Sequence, residues 1–189
     1  MKALRSALRR RRAELTATQI AADSKQISHH LWHLPAMARC QRIACYMAVG
    51  GEVDCAPVMD EALARGRRIY LPVLHGPALL FAPWSPGGVM TANRFGIAEP
   101  ALAPGSCLRA AQLDVVLAPL VAFDDMGHRL GMGGGYYDRS LAFSRHRQLW
   151  RRPHIIGLAY EFQRLRALPA QRWDVALHTV ITECGARFF

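Results

Sequence analysis

Hydrophobic positions change their period several times along this chain, and each change marks an element. Leu4, Leu8 and Leu15 fall near one face of a first helix, and Ile20, Ile27, Leu31 and Leu34 make an apolar stripe on a second. Thr18 is placed to cap the second helix, which must stop before Pro35. At residues 43–49 the pattern becomes a continuous apolar run of strand formers, followed by the turn Gly50-Gly51 and a helical stretch over 56–65 closed by Gly66. Residues 68–74, 79–84 and 114–121 read as strands. A glycine-dense loop at 127–135 leads into a helix predicted from Tyr136 to about residue 147, and 154–160 reads as a further strand. Proline and glycine gather at 83–88 and 100–105, which reads as connecting loops.

Strands separated by helical crossovers pair in parallel. The expected fold class is therefore α/β: a single layered domain with a mostly parallel central sheet flanked by helices. Such sheets bind ligands beyond the carboxyl ends of their strands, where Glu52 and the loop 127–135 fall.

With 189 residues, 51% hydrophobic and 20% charged, the chain suits one globular domain and excludes disordered and fibrous classes. The longest apolar run, 115–123, is broken by Pro119 and falls short of the roughly 18 residues that cross a bilayer. Charge narrows the partner. Lys and Arg number 24 against 14 Asp and Glu, a formal excess of ten, which points to nucleic acid, a membrane surface or a phosphorylated metabolite. The arginine cluster 9–12 has no apolar region and cleavage site behind it, and Glu14 argues against a transit peptide, so a cytoplasmic protein is expected. Cys40, Cys45, Cys55, Cys107 and Cys184 are odd in number and hold no Cys-x-x-Cys pair, as for reduced thiols that pack as small hydrophobes. His29 and His33 have metal-pair spacing but no third ligand nearby, and read as surface histidines.

The segment from Phe123 to Asp138 is richest in chemistry. Gly131 and Gly133-Gly134-Gly135 free the backbone to approach a ligand and turn N–H groups toward it, and the helix that follows is expected to add the positive end of its dipole. Arg129 supplies a cation, and Asp138 is placed to ligate a magnesium ion bridging phosphates. Neither the P-loop nor the dinucleotide-binding pattern is present, so the glycines fit a phosphate cradle or a structural loop. Lys2, Arg5 and Arg9 begin a basic helix that either closes over phosphates or faces water. Glu52 is either an acid reaching a ligand at the sheet's edge or a turn residue.

Taken in order, several segments resemble the 5-formyltetrahydrofolate cyclo-ligase (methenyltetrahydrofolate synthetase) family. They are residues 2–5, Gly51-Glu52-Val53-Asp54, Asn93-Arg94-Phe95-Gly96-Ile97-Ala98-Glu99-Pro100, Pro119 with Phe123-Asp124, and residues 129–138. The likeness continues through residues 159–163, Leu168-Pro169, Trp173-Asp174 and Val180-Ile181-Thr182-Glu183, nearly the whole chain. It implies an ATP-dependent ring closure of 5-formyltetrahydrofolate to 5,10-methenyltetrahydrofolate, with magnesium, ADP and phosphate. The formyl oxygen would attack the γ-phosphate and N10 would close on the activated carbon.

By position, the resemblance assigns ATP contacts to Lys2, Arg5, Arg129, Leu130, Gly131, Met132, Gly133, Gly134, Gly135, Tyr136 and Tyr137. Folate contacts fall to Met47, Glu52, Phe95, Gly133, Gly134, Gly135 and Tyr136, magnesium to Asp138 and Asp174, and catalysis to Arg129 and Tyr137. A carboxylate at Glu52 suits the pterin because it accepts two parallel hydrogen bonds. Three positions depart from the family's usual pattern: Met132 replaces an Arg of the loop, His178 an Asp, and Ala98 a Pro. Residual or tuned activity rather than its absence is expected, since Lys2, Arg5, Arg129, Asp138 and Asp174 remain. Two alternatives stay open: a folate-binding relative that lost turnover through Met132 and His178, and a basic nucleic-acid-binding module. Against the second, Trp32, Trp84, Trp150 and Trp173 are not interleaved with cations as in RNA readers. The expected partners are reduced folate and ATP, with no membrane or nucleic acid, on a monomer.

Overall fold

The computed structural model describes residues 1–146 and 153–189. The far end of the helix expected to reach residue 147, and Trp150, lie outside the described residues. The helices are α1 (Lys2–Ala13), α2 (Ala17–Trp32), α3 (Pro35–Ala38), α4 (Ala56–Ala64) and α5 (Tyr136–Leu141). The strands are β1 (Arg42–Ala44), β2 (Arg68–His75), β3 (Ala78–Trp84), β4 (Met90–Ala92), β5 (Ala98–Pro100) and β6 (Val115–Pro119). Then come β7 (Ala122–Asp124), β8 (Arg129–Leu130), β9 (His154–Leu158), β10 (Arg164–Leu165), β11 (Thr179–Thr182) and β12 (Gly185–Phe188).

Seven strands form the main sheet in the order β12-β11-β9-β6-β1-β2-β3. The five inner strands pair in parallel, and the hairpin partners β3 and β12 close the edges antiparallel. This is the expected α/β domain. Alternation along each strand feeds two cores: Ile43, Val115 and Leu117 face one, with Ile27 and Leu31 of α2 and Val58 of α4, while Ala44, Val116 and Ala118 face the other with Leu141 of α5. A small three-stranded sheet of order β10-β7-β8 contributes Ala122 and Leu130, which with Leu168 form a cluster that receives Leu4 and Leu8 and seats α1 on this small sheet.

Several local expectations are corrected. The cap of α2 is Thr16, not Thr18: its hydroxyl accepts from the Gln19 N–H at 3.2 Å, and the Gln19 side chain accepts in return from the Thr16 N–H at 2.9 Å. The run 43–49 yields only the short β1, because after Cys45 donates to the Tyr70 carbonyl (2.9 Å) the chain leaves the ladder toward the turn at Gly50. The helix from Tyr136 lasts six residues before tightening into a 3-10 turn at Ala142–His146. It is too short to bring the macrodipole invoked for the glycine loop. Pro83 sits inside β3, not in a loop, which an edge strand permits. The short strands β4, β5, β7, β8 and β10 to β12 carry too few residues for a periodic signal. The five cysteines are free thiols, three of them buried. Among the described residues no helix is long and apolar enough to cross a membrane, and no group of three potential metal ligands assembles around His29 and His33.

Candidate active site

Parallel order reverses between β1 and β6, the kind of switch point where the loops leaving two neighbouring strands diverge and open a crevice. A cavity of about 1010 Å³ lies there, bordered by Tyr46 and Met47 beyond β1 and by Pro119 and Leu120 at the end of β6. The glycine loop forms one wall, the Glu52 turn another, and Phe95 on the β4–β5 hairpin a third.

The loop wall is held by arginines from outside it as well as within. Arg5 on α1 donates through Nε to the Gly131 carbonyl at 2.9 Å, and a Cβ on Gly133 would lie 3.7 Å from its guanidinium carbon. Gly133 (φ +100°) and Gly135 (φ +65°) occupy left-handed backbone regions, and a Cβ on Gly135 would meet the Arg139 guanidinium at 2.6 Å. Arg139 donates to the Gly134 and Pro77 carbonyls, pinning the loop to the β2–β3 turn. The Arg129 side chain is 4% exposed and reaches the Asp138 carboxylate and the Val175 carbonyl, each at 2.6 Å. Burial pulls its pKa down, but Asp138, then Tyr137 and Asp174, oppose that, and a guanidinium starts high enough to stay charged. Asp138 also accepts from the Val175 N–H, and Asp174 from the Gln171 N–H at 2.8 Å.

The opposite wall is built around a buried ion pair. Glu52 is 6% exposed, Arg12 2%, and their charged groups stand 3.6 Å apart. Arg12 also donates to the Gly50 carbonyl (2.9 Å) and the Leu120 carbonyl (3.3 Å), while Glu52 accepts from the Val49 N–H at 3.2 Å. Burial pushes the Glu52 carboxyl up, and Arg12 offsets only part of that. Between the walls, the Tyr137 hydroxyl is buried without a hydrogen-bond partner, and burial drives its pKa far up. An orphaned donor bordering a cavity is a natural contact for a bound ligand. At the mouth Phe95, 58% exposed, meets the Tyr136 ring edge-on at 5.9 Å; Arg94 lies over both rings and hydrogen-bonds the Tyr136 hydroxyl.

Of the residues predicted from sequence, Arg5, Met47, Glu52, Phe95, Asp174 and the whole run from Arg129 to Asp138 line this one cavity. Lys2 does not: it is exposed on the first turn of α1. Met132 is on the wall and 53% exposed, whereas His178 lies elsewhere, stacked on His154 and accepting the Ile155 N–H through Nδ1 at 2.9 Å. Sequence reasoning gave no site role to Arg139 and Trp173 of the cavity lining or to Arg94 at its mouth, and it did not separate Arg12 from the rest of the cluster 9–12. A signal for Arg12 existed: it continues the four-residue spacing of Leu4 and Leu8 and so falls on the inward face of α1.

A mostly parallel α/β sheet with a glycine-rich loop beside a cavity at its switch point defines an α/β protein of the kind that binds small molecules there. Residues 1–183 match the model of the 5-formyltetrahydrofolate cyclo-ligase family, and the chain belongs to that family. It is 36% identical to the 5-formyltetrahydrofolate cyclo-ligase of Escherichia coli strain K12, over 93% of this chain and 96% of that protein. With the Haemophilus influenzae enzyme of the same name the identity is 37%, over 94% and 95%. Among solved structures, Aquifex aeolicus 5,10-methenyltetrahydrofolate synthetase superposes with a TM-score of 0.83 at 30% identity, covering 99% of this chain and 91% of that one.

Proposed function

We propose that the protein is an ATP-dependent 5-formyltetrahydrofolate cyclo-ligase that closes 5-formyltetrahydrofolate to 5,10-methenyltetrahydrofolate, releasing ADP and phosphate. The observation that carries this reading is that a phosphate-type loop and a buried carboxylate face one another across a single cavity. On one side, Gly131 and Gly133 to Gly135 offer backbone N–H groups to the triphosphate, with Leu130, Met132, Arg5 and Arg129 beside it. On the other, Glu52 accepts the pterin's N–H donors, Met47 lies beside the ring, and Phe95 with Tyr136 covers it.

In this arrangement the formyl oxygen attacks the γ-phosphorus and ADP departs. N10 then attacks the activated formyl carbon, and the oxygen leaves within inorganic phosphate. The chain's share is alignment and charge stabilisation: Arg129 faces the charge that builds on the transferring phosphoryl group, and the Tyr137 hydroxyl donates to a ligand oxygen between the two substrates. Two carboxylates, Asp138 and Asp174, are too few to cage a metal, but they suit magnesium that keeps its waters and phosphate ligands. Such an ion, when bound, would neutralise phosphate charge.

Met132 is the one of the three family departures that touches the phosphate loop. Arg5 and Arg139 already place guanidinia against that loop, so turnover is retained in this reading. The enzyme is taken to work as a cytoplasmic monomer on small molecules. A parallel assay of ATP consumption and methenyl absorbance, with and without magnesium, tests the proposal. Stoichiometric, magnesium-dependent appearance of both products is expected. Folate binding without ATP consumption would instead identify a relative that lost turnover, and salt-sensitive binding of random RNA with neither activity would identify a nucleic-acid module.

A further inference from the structure

We propose that Arg12 is a positioning residue for the reduced folate: it fixes the Glu52 carboxylate at the folate end of the cavity and ties it to the helix whose Arg5 borders the phosphate loop. The inference rests on the folate reading of Glu52 given above. Three observations carry it. Arg12, at 2% exposure, spends its fork on the Gly50 and Leu120 carbonyls and leaves Nη2 3.6 Å from Glu52, so it ties the turn that carries the carboxylate to the end of β6. Its own carbonyl presses on the same turn, since a Cβ on Gly51 would come within 2.7 Å of that oxygen. Finally, Arg5 and Arg12 lie seven residues apart on α1, about 10 Å along the axis, so one rigid element touches the phosphate loop at one end and the folate turn at the other.

The groups that face Glu52 set the charge logic. Arg12 and, more weakly, Arg9 come from α1; the phenols of Tyr46, beyond β1, and Tyr137, on α5, stand on the other sides. Both phenols stay neutral, because burial pushes them up, which leaves the α1 arginines as the counter-charge. Without Arg12, burial acts unopposed apart from Arg9 and the Val49 N–H. The carboxyl would then hold its proton to higher pH and present an acid where the pterin donors need an acceptor.

The test is the pH dependence of kcat/KM for 5-formyltetrahydrofolate in wild type, Arg12→Met and Arg12→Lys, with KM for ATP measured alongside. In Arg12→Met the folate KM is expected to rise about tenfold or more, with the ATP KM within about twofold. The acid limb of the profile should move to higher pH, because burial of the carboxyl loses its main opposing charge. Arg12→Lys keeps the charge but loses the fork, so its limb should return toward the wild-type position while its folate KM stays a few-fold high. If Arg12→Met fails to fold, Arg12→Lys carries the test alone, and a wild-type folate KM in that variant would overturn the proposal. Equal rises in both KM values, an unmoved limb in Arg12→Met, or full additivity with Glu52→Gln would overturn it too. A wild type that neither binds reduced folate nor forms the methenyl product would overturn the cyclo-ligase reading itself, and this inference with it.

Discussion

Glu52, just after the Gly50-Gly51 turn, and Asp124, the last residue of β7, are both buried carboxylates, at 6% and 1% exposure, yet they do opposite things with their oxygens. Asp124 is saturated: it accepts from the N–H groups of Met126, His128 and Leu168 and from the His128 ring, all within 3.0 Å. Burial alone would raise its pKa, but those four donors outweigh it and hold the carboxyl below its usual range. Glu52 has one backbone donor at 3.2 Å and one guanidinium at 3.6 Å, so burial wins and its pKa rises. A carboxylate whose hydrogen-bonding capacity is used by its own chain organises a loop. One left short of donors beside a cavity has capacity for a ligand. Here Asp124 ties the turn after β7 to the segment at Leu168, and Glu52 borders the cavity.

The largest expected effect separates the two by kind. Glu52→Gln should raise the folate KM about 10- to 100-fold, the worth of a charged hydrogen bond, with the stability lost by unpairing the buried Arg12 limited by the Gly50 and Leu120 carbonyls that still accept from it. Asp124→Asn should do the reverse, costing about 2–3 kcal/mol in denaturant unfolding with kcat/KM of the folded protein within a few-fold. Exchanged outcomes would break the comparison.

A subtler separation lies in pH. Asp124, with a depressed folded pKa, contributes stability above its unfolded value of about 3.9 and loses it as pH falls through the folded value. Glu52, with a raised folded pKa, contributes below about 4.3 and loses that as pH rises through its folded value. Unfolding free energies from pH 3 upward, as wild type minus Asp124→Asn and wild type minus Glu52→Gln, should therefore slope in opposite directions. Parallel slopes would mean that both groups are merely structural. The smallest effect is expected at the far wall: Met132→Arg should lower the ATP KM only a few-fold, because an exposed added charge is screened and Arg5 already serves the loop. It should leave the folate KM and the acid limb where they are.

Much of the site was legible because its chemistry is contiguous. The run from Arg129 to Asp138 carries glycines, a cation and an acid within ten positions, and spacing alone suggested what backbone freedom and charge could do there. Glu52 was legible as a candidate but not as a commitment, since a turn residue and a ligand contact look alike until burial and partners are known. His178 looked like a changed active-site acid and proved to be a sheet-end acceptor, because its distance from the cavity is set by the β9–β11 pairing. The six-residue α5 was overestimated because nothing local to Leu141 marks where the α-helix tightens.

What the chain's own order of residues determined is the layered α/β plan and the makeup of the glycine-rich loop, since hydrophobic period, helix stops and glycine freedom act over a few residues. Which arginine of the cluster 9–12 turns inward was decided only by tertiary packing. Leu4 and Leu8 lock the rotation of α1 on the small sheet, and that phase carries Arg12 under Glu52 and Arg11 over the Phe162 ring. The net charge of +10 gave no hint of this division. A guanidinium's role depends on whether its neighbours exclude water and offer carbonyls and a carboxylate, and those neighbours come from positions 38 to 108 residues away.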